Sequence, residues 1–69
     1  MNLRVLMEAY KYGLTIQHKN NGLYIVEEIT EVKIKGEWLT CITYRGILTQ
    51  ALYVRCVDDF ENFEVYVDV

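Results

Sequence analysis

Two tyrosines and two arginines in the second half of the chain have the residue types best suited to binding chemistry. Tyr44 and Arg45 end one apolar stretch, and Tyr53 and Arg55 lie in the next. A guanidinium can stack on an aromatic ring, or hold a carboxylate or phosphate through two parallel hydrogen bonds. Tyr and Arg are also enriched at binding hot spots. If the two stretches pair as a hairpin, these side chains form a binding face for a protein or a small anion.

A structural role for the same residues is the favoured alternative. Arg55 lies in an alternating strand, so a carboxylate on a neighbouring strand can pair with it. Glu64 and Asp68 on the last predicted strand are the candidates. Tyr53 then packs across strands instead of contacting a ligand. The sequence leaves both roles open.

The residues that catalysis requires are scarce, and we predict a non-enzymatic protein that needs no cofactor. The chain has no serine, and its single histidine, His18, precedes a polar turn. A nucleophile needs a base within hydrogen-bond reach, and no spacing pairs His18 with Cys41 or Cys56. Glu27 and Glu28 point to opposite faces of a strand and cannot form an acid–base pair.

No metal site is predicted. Cys41, Cys56 and His18 would have to converge from three strands, and they would still lack a fourth ligand. The segment DDFENFE at 58–64 lacks the ligand spacing of a calcium loop. We expect Cys41 and Cys56 to be buried free thiols, with a structural disulfide as the less favoured alternative.

Composition limits the class of protein. The chain has 69 residues, of which 52% are hydrophobic and 25% charged, which fits one small globular domain. Its net charge of −3 disfavours nucleic acid as a partner, because phosphate backbones select clustered lysines and arginines. No apolar run approaches the roughly 18 residues that span a bilayer, and the first residues lack a signal-peptide cleavage site. We therefore expect a soluble, cytoplasmic protein that does not bind membranes.

Hydrophobic periodicity predicts one helix followed by five strands. Leu3, Leu6, Met7 and Tyr10 recur at helical spacing, so residues 1–13 form a helix that Asn2 caps and Gly13 ends. From residue 14 onward the period is two, and polar or glycine-containing turns separate the strands. The predicted strands are 14–18, 23–35, 38–45, 49–56 and 63–69.

Four local features refine this pattern. In the second strand the apolar side chains change from odd-numbered to even-numbered positions, which predicts a bend near Glu28–Glu31. Alternation in the fourth strand separates Leu52 and Val54 from Arg55, and we expect the Arg55 face to be the exposed one. Phe60 tucks into the core from a tight turn, and the last strand points Phe63, Val65, Val67 and Val69 inward. These features predict a mainly β (α+β) fold, a small five-stranded SH3-like barrel at 14–69 with the helix at 1–13.

The segment LYVRCVDDF at 52–60 resembles the signature of a small bacterial and phage domain family of unknown function, whose members read roughly LWVRPxxMF. ITYR at 42–45 and HKNNGLYIVEEI at 18–29 are similar to two further blocks of that family. Cys56 stands where the family has proline, and Asp59 stands where it has methionine. The resemblance covers about residues 18–67, implies an SH3-like barrel and brings no activity with it.

The function that fits these features best is a small interaction module, an accessory protein of a phage or mobile element that binds a host protein. The alternative is a binder of a nucleotide or another anion, held by Arg45 and Arg55. Nucleic acid binding ranks below both, because the acidic net charge disfavours contact with a phosphate backbone. The wide apolar side of the helix, or the last strand, also allows a homodimer.

Overall fold

The computed structural model describes residues 1–68 and contains one helix and five antiparallel strands. This confirms the predicted mainly β chain with a short helix. Val69, predicted to point inward, lies outside the described residues. The helix is α1 (Leu3–Tyr12), and the strands are β1 (Thr15–His18), β2 (Leu23–Ile34), β3 (Glu37–Gly46), β4 (Leu52–Cys56) and β5 (Phe63–Val65).

Both ends of α1 are capped as predicted. The Asn2 side chain accepts a hydrogen bond from the backbone N–H of Val5 at 3.0 Å, which satisfies a donor that the first helical turn leaves free. Gly13 follows the last turn with a φ of 65°, a left-handed conformation that glycine adopts at low cost. Within residues 1–68 no helix is long and apolar enough to cross a membrane.

The five strands form one sheet in the order β4-β3-β2-β1-β5. β1 pairs with β2 on one side and with β5 on the other, so the last strand returns to the first. β4 and β5 are the two edges, and no ladder joins them in the part of the chain that the structure describes. The sheet is therefore open, and the predicted barrel is not confirmed.

A bulge in β2 lets both halves of this long strand reach one core. The pairing of β2 with β3 shifts between Val26 and Glu28, slightly before the bend predicted from the sequence. A bulge adds one residue to a strand and so reverses the phase of its side chains. Tyr24 and Val26 before the bulge and Ile29 after it consequently all contact the core cluster.

The core lies between α1 and one face of the sheet. Phe60, placed in the core by the sequence, is fully buried in the turn before β5. The buried cluster joins the helix to the strands through Leu6, Ala9, Ile16, Val26, Ile42, Tyr44, Phe60 and Phe63.

The prediction of which β4 face is exposed is wrong. Arg55 lies opposite Ile42, which is fully buried, so Arg55 shares the core face of the sheet. Leu52 and Val54 are 54% and 62% exposed on the other face. The predicted separation of Leu52 and Val54 from Arg55 is confirmed. Both faces of β4 carry apolar side chains, and the pairing with β3 determines which face contacts the core.

The last strand is shorter than predicted. β5 ends at Val65, and Val67 is 69% exposed instead of pointing inward. Phe63 is buried and Val65 is partly buried, as expected.

Candidate functional site

Tyr44 and Tyr53 lie directly opposite each other on β3 and β4. Their rings are stacked, with centroids 5.5 Å apart and an interplanar angle of 28°. Tyr24 on β2 meets both rings edge-on, at 5.2 Å from Tyr44 and 6.0 Å from Tyr53. Tyr44 is buried and Tyr53 is exposed, so the cluster presents one aromatic ring to solvent.

Arg55 is held within the chain by three contacts. Its Nε–H donates to the Tyr44 hydroxyl, with 2.7 Å between the two atoms. Another guanidinium nitrogen donates to Asp59 Oδ2 at 3.0 Å, and the guanidinium carbon lies 5.3 Å from the Phe63 ring centroid. The hydrogen bond to Tyr44 raises the pKa of Arg55 above its ordinary value, so the group stays charged.

The expected partners of Arg55 on the last strand were Glu64 and Asp68. Neither forms an ion pair with Arg55 within residues 1–68, and Asp59 in the preceding turn takes that place. The turn brings Asp59 back because it lies four residues after Arg55 and its backbone N–H donates to Cys56 O at 2.9 Å. The alternation of the strands favours a carboxylate on the last strand as the partner of Arg55. It does not predict that the turn after β4 brings Asp59 back to the guanidinium.

Arg45 does not join the other three predicted residues. It lies opposite Leu52, on the face away from Tyr44. Its Nε donates to Glu27 Oε1 at 2.8 Å, and a terminal nitrogen donates to the backbone oxygen of Gln50 at 2.8 Å. The hairpin therefore brings together Tyr44, Tyr53 and Arg55 and turns Arg45 outward.

A small pocket adjoins the exposed ring of Tyr53. It has a volume of about 280 Å³ and lies between the β1–β2 turn and the β3–β4 loop. Leu48, at the tip of this loop, is 96% exposed. Leu48 is not among the predicted site residues, and the one sign of it in the sequence is that an apolar residue stands in a predicted turn. The principal side chains around the pocket are Leu23, Tyr24, Leu48, Thr49 and Tyr53.

The outer edge of β4 carries unpaired backbone groups. Gly46 N–H donates to Ala51 O and Val57 N–H donates to Thr40 O, each at 2.9 Å, at the two ends of the β3–β4 ladder. Because hydrogen bonding alternates along an antiparallel pair, the backbone groups of Leu52 and Val54 point away from β3. β4 has no second neighbour among residues 1–68, so these groups are free to pair with another strand.

The two cysteines lie directly opposite each other on β3 and β4. Both are free thiols, as predicted, but Cys56 is only partly buried. Cys41 is 6% exposed. Burial raises the pKa of Cys41, the neighbouring Cys56 raises it further, and the charge of Glu31 adds a smaller effect in the same direction.

His18 has a local structural environment. Its Nδ1 accepts a hydrogen bond from the backbone N–H of Asn20 at 3.1 Å, and its ring lies edge-on to Phe63. In the described part of the chain, no three His, Cys, Asp or Glu side chains are grouped closely enough to hold a metal ion.

Comparison of the chain with protein-family models, with curated proteins and with solved structures finds no match.

Proposed function

We propose that this chain is a non-enzymatic interaction module that binds an extended segment of a partner protein along the free edge of β4. The observation that carries the proposal is the backbone of Leu52 and Val54, which pairs with no strand within residues 1–68 other than β3 and is flanked by the exposed side chains of the same two residues. An added strand gains affinity from main-chain hydrogen bonds and specificity from its alternate side chains.

β4 lacks the devices that usually protect an edge strand. Natural edges are blocked by lysine, proline or a bulge. The sequence LYVRC contains one charge, and that charge is turned toward Tyr44 and Asp59. An apolar edge without a blocking residue favours pairing with a further strand.

The pocket beside Tyr53 sets the chemistry of the partner. Side chains of an added strand alternate between the two faces of the sheet, so one of them would lie beside Tyr53. A space of about 280 Å³ with tyrosine and leucine walls suits one apolar side chain. The occupant we propose is therefore an extended, apolar segment of another protein.

A second copy of β4 fits this edge less well. On the pocket side, β4 itself offers Tyr53, which is stacked on Tyr44, and Arg55, which is bonded to Tyr44 and Asp59. Neither side chain can leave for a pocket on a second copy without losing those contacts.

The anion-binding alternative has less support. Arg45 already contacts Glu27 and the Gln50 carbonyl, and Arg55 already contacts Asp59. The two guanidinium groups also lie on opposite faces of the sheet. A clamp on one anion would have to break these contacts and bring the two groups to one side.

The strand order supports an SH3-like fold as part of the proposal. A meander of four strands with the fifth returning beside the first, together with a bulged second strand, suits a small partly open barrel. Four statements stay predictions. They are membership of the family suggested by LYVRCVDDF, an origin in a phage or mobile element, a host protein as the partner and a cytoplasmic location.

Selection from a library of random eight-residue peptides tests whether the free edge of β4 binds an extended segment. Val54→Lys places a charge on the edge strand, and Val67→Lys is the matched control, because both valines are exposed and only Val54 lies in β4. We expect peptides that bind the wild type and Val67→Lys but bind Val54→Lys at least tenfold more weakly. Bound peptide should also slow hydrogen exchange at the amides of Leu52 and Val54.

Two results would contradict the proposal. One is a set of selected peptides that bind Val54→Lys as tightly as wild type. The other is tight binding with no added protection at Leu52 and Val54. Selected peptides that share a motif and protect the α1 residues would place the binding surface on the helix instead.

Self-association through α1 is a separate, weaker proposal. At about 100° per residue, the apolar side chains of α1 cover an arc of about 220°, more than the core contact through Leu6 and Ala9 requires. The uncovered flank borders a groove of about 910 Å³ beside Ile29. The exposed apolar side chains on this flank are Leu3, Met7 and Tyr10, whereas the exposed Tyr12 lies on the other side of the core contact.

A second copy packed on this flank would cover on the order of 300 Å² per chain, less than half of a standard interface. We therefore expect a weak dimer that forms only at high concentration. Sedimentation velocity across a concentration series measures it, and Met7→Glu should shift the protein to the monomer. If the wild type dimerises and Met7→Glu sediments in the same way, the helix flank is not the dimer interface.

A further inference from the structure

Cys41 and Cys56 occupy a cross-strand position that suits a reversible disulfide. They are direct partners in the β3–β4 ladder. Val57 N–H donates to Thr40 O in the adjacent pair, so alternation makes Cys41 and Cys56 a pair without hydrogen bonds between them. In such pairs the Cα atoms are about 4.5 Å apart, within the range that a disulfide bridges.

We propose that Cys41 and Cys56 form an intramolecular disulfide by exchange with a small-molecule disulfide, and that the bond reversibly fastens edge strand β4 to β3. This inference does not depend on the partner segment proposed above, since it concerns the covalent state of the chain alone.

The two sulfurs have different access, which sets the order of the steps. Cys41 is 6% exposed, whereas Cys56 lies on the edge strand and is only partly buried. A small disulfide RSSR can therefore reach Cys56 first. The Cys56 thiol loses its proton to solvent, the thiolate attacks one sulfur of RSSR to form a mixed disulfide, and RS⁻ leaves and takes up a proton.

Cys41 completes the reaction from inside the protein. Its thiol loses a proton to solvent, and the resulting thiolate attacks the Cys56 sulfur, so the protein disulfide forms and a second RS⁻ leaves. The dithiol is oxidised by two electrons, RSSR is reduced to two RSH, and excess RSH reverses both steps. The raised pKa of Cys41 makes this second step faster as the pH rises.

Access from solvent indicates that the bond is reversible and not a permanent brace. In pairs without hydrogen bonds the Cβ atoms lie near the lower end of the range of about 4.5–5.5 Å, close to the spacing of about 3.5–4.5 Å that a disulfide prefers. Cys56 is only partly buried, so a small thiol can reach the bond from that side. Exposed disulfides are reduced more readily than buried ones.

Equilibration of the reduced protein with oxidised glutathione, followed by acid quench and mass spectrometry, tests the proposal. We expect the wild type to lose about 2 Da and to carry no adduct. Cys41→Ala should keep a glutathione on Cys56, a gain of about 305 Da, while Cys56→Ala should stay mostly unmodified because Cys41 is buried. Peptide mapping should link residues 41 and 56.

A measurement on the wild type alone keeps the test independent of how the variants fold. In defined mixtures of reduced and oxidised glutathione, the equilibrium constant for the disulfide should be roughly tenfold or more higher in buffer than in concentrated urea, because the ladder holds the two sulfurs together. The oxidised form should melt roughly 5 °C or more above the reduced form.

Three outcomes would overturn the proposal. They are a wild type that carries glutathione without an internal bond, dimers linked between chains, and an equilibrium constant no higher in buffer than in urea.

Discussion

Arg55 and Tyr44 are a diagonal pair across β3 and β4, joined by a hydrogen bond of 2.7 Å from Arg55 Nε to the tyrosine hydroxyl. Tyr44 is buried, and a buried hydroxyl needs a partner to offset its loss of water. Among the described residues no buried side-chain nitrogen or oxygen lacks such a partner. The cation fits in this apolar strand because it supplies the hydrogen-bond partner of the Tyr44 hydroxyl on the neighbouring strand.

Removal of the Arg55 guanidinium should therefore destabilise the fold. Arg55→Met keeps the aliphatic stem but loses the hydrogen bonds to Tyr44 and Asp59, and we expect the free energy of unfolding to fall by about 2 kcal/mol in urea titration. Arg4→Met is the matched control. Arg4 pairs with Glu8 at 3.5 Å on the exposed helix surface, so its loss should cost less than about 0.5 kcal/mol. If the two variants lose equal amounts of unfolding free energy, the contacts of Arg55 stabilise the fold no more than a surface ion pair does.

The two stacked tyrosines should respond differently to loss of their hydroxyl groups. Tyr44→Phe leaves the Nε–H of Arg55 without its acceptor and should cost about 1 kcal/mol of unfolding free energy. Tyr53→Phe keeps the stacked ring at an exposed position and should change stability by less than about 0.3 kcal/mol. In a double-mutant cycle, Tyr44→Phe and Arg55→Met should couple by about 1 kcal/mol, and additive losses would argue against the hydrogen bond.

Local patterns in the sequence predicted the elements of this fold well. The helix period with Asn2 and Gly13, the alternation from residue 14 onward and the slip in the second strand depend on neighbouring residues, which the sequence displays directly. Phe60 was also placed correctly, because an aromatic ring in a tight turn between apolar strands has a core within reach.

The face on which each β3 and β4 side chain lies depends on pairing between strands that are distant in the sequence, and sequence patterns do not show this pairing. In β4 hydropathy favours Leu52 and Val54 over Arg55 for the core face, but the pairing with β3 places Arg55 opposite Ile42. The same limit applies to Arg45, whose face depends on its partner Leu52. Three of the four predicted site residues meet, and the fourth does not, because adjacent residues of one strand point to opposite faces.

Gly13 offers a test of the helix end. Its φ of 65° disfavours side chains, yet a Cβ built there would meet nothing within 4 Å. Gly13→Ala should therefore cost about 1 kcal/mol of unfolding free energy from backbone conformation alone. Gly13→Asn should recover part of that loss, since asparagine tolerates the left-handed region. Thermal denaturation of the three proteins measures the order, and Asn no better than Ala would contradict the conformational explanation.

The reduced protein should lose stability as the pH rises past the ordinary thiol pKa of 9.0 because of Cys41. Burial, first, and the neighbouring Cys56 raise the pKa of Cys41 in the folded state, so above pH 9.0 the unfolded chain releases a proton that the folded chain keeps. The unfolded state then binds fewer protons, and the free energy of unfolding falls with pH. Below pH 9.0 both states hold the proton, and the contribution is fully present.

Cys41→Ala isolates this effect from the lysines and tyrosines that titrate in the same range. We expect the unfolding free energy of wild type minus that of Cys41→Ala, measured in urea with a reducing agent, to decrease between pH 8 and pH 10.5, a range set around the ordinary value of 9.0. A difference that stays constant or grows would mean that the Cys41 thiolate is tolerated inside the fold. In that case the second step of disulfide formation would meet no electrostatic barrier from burial.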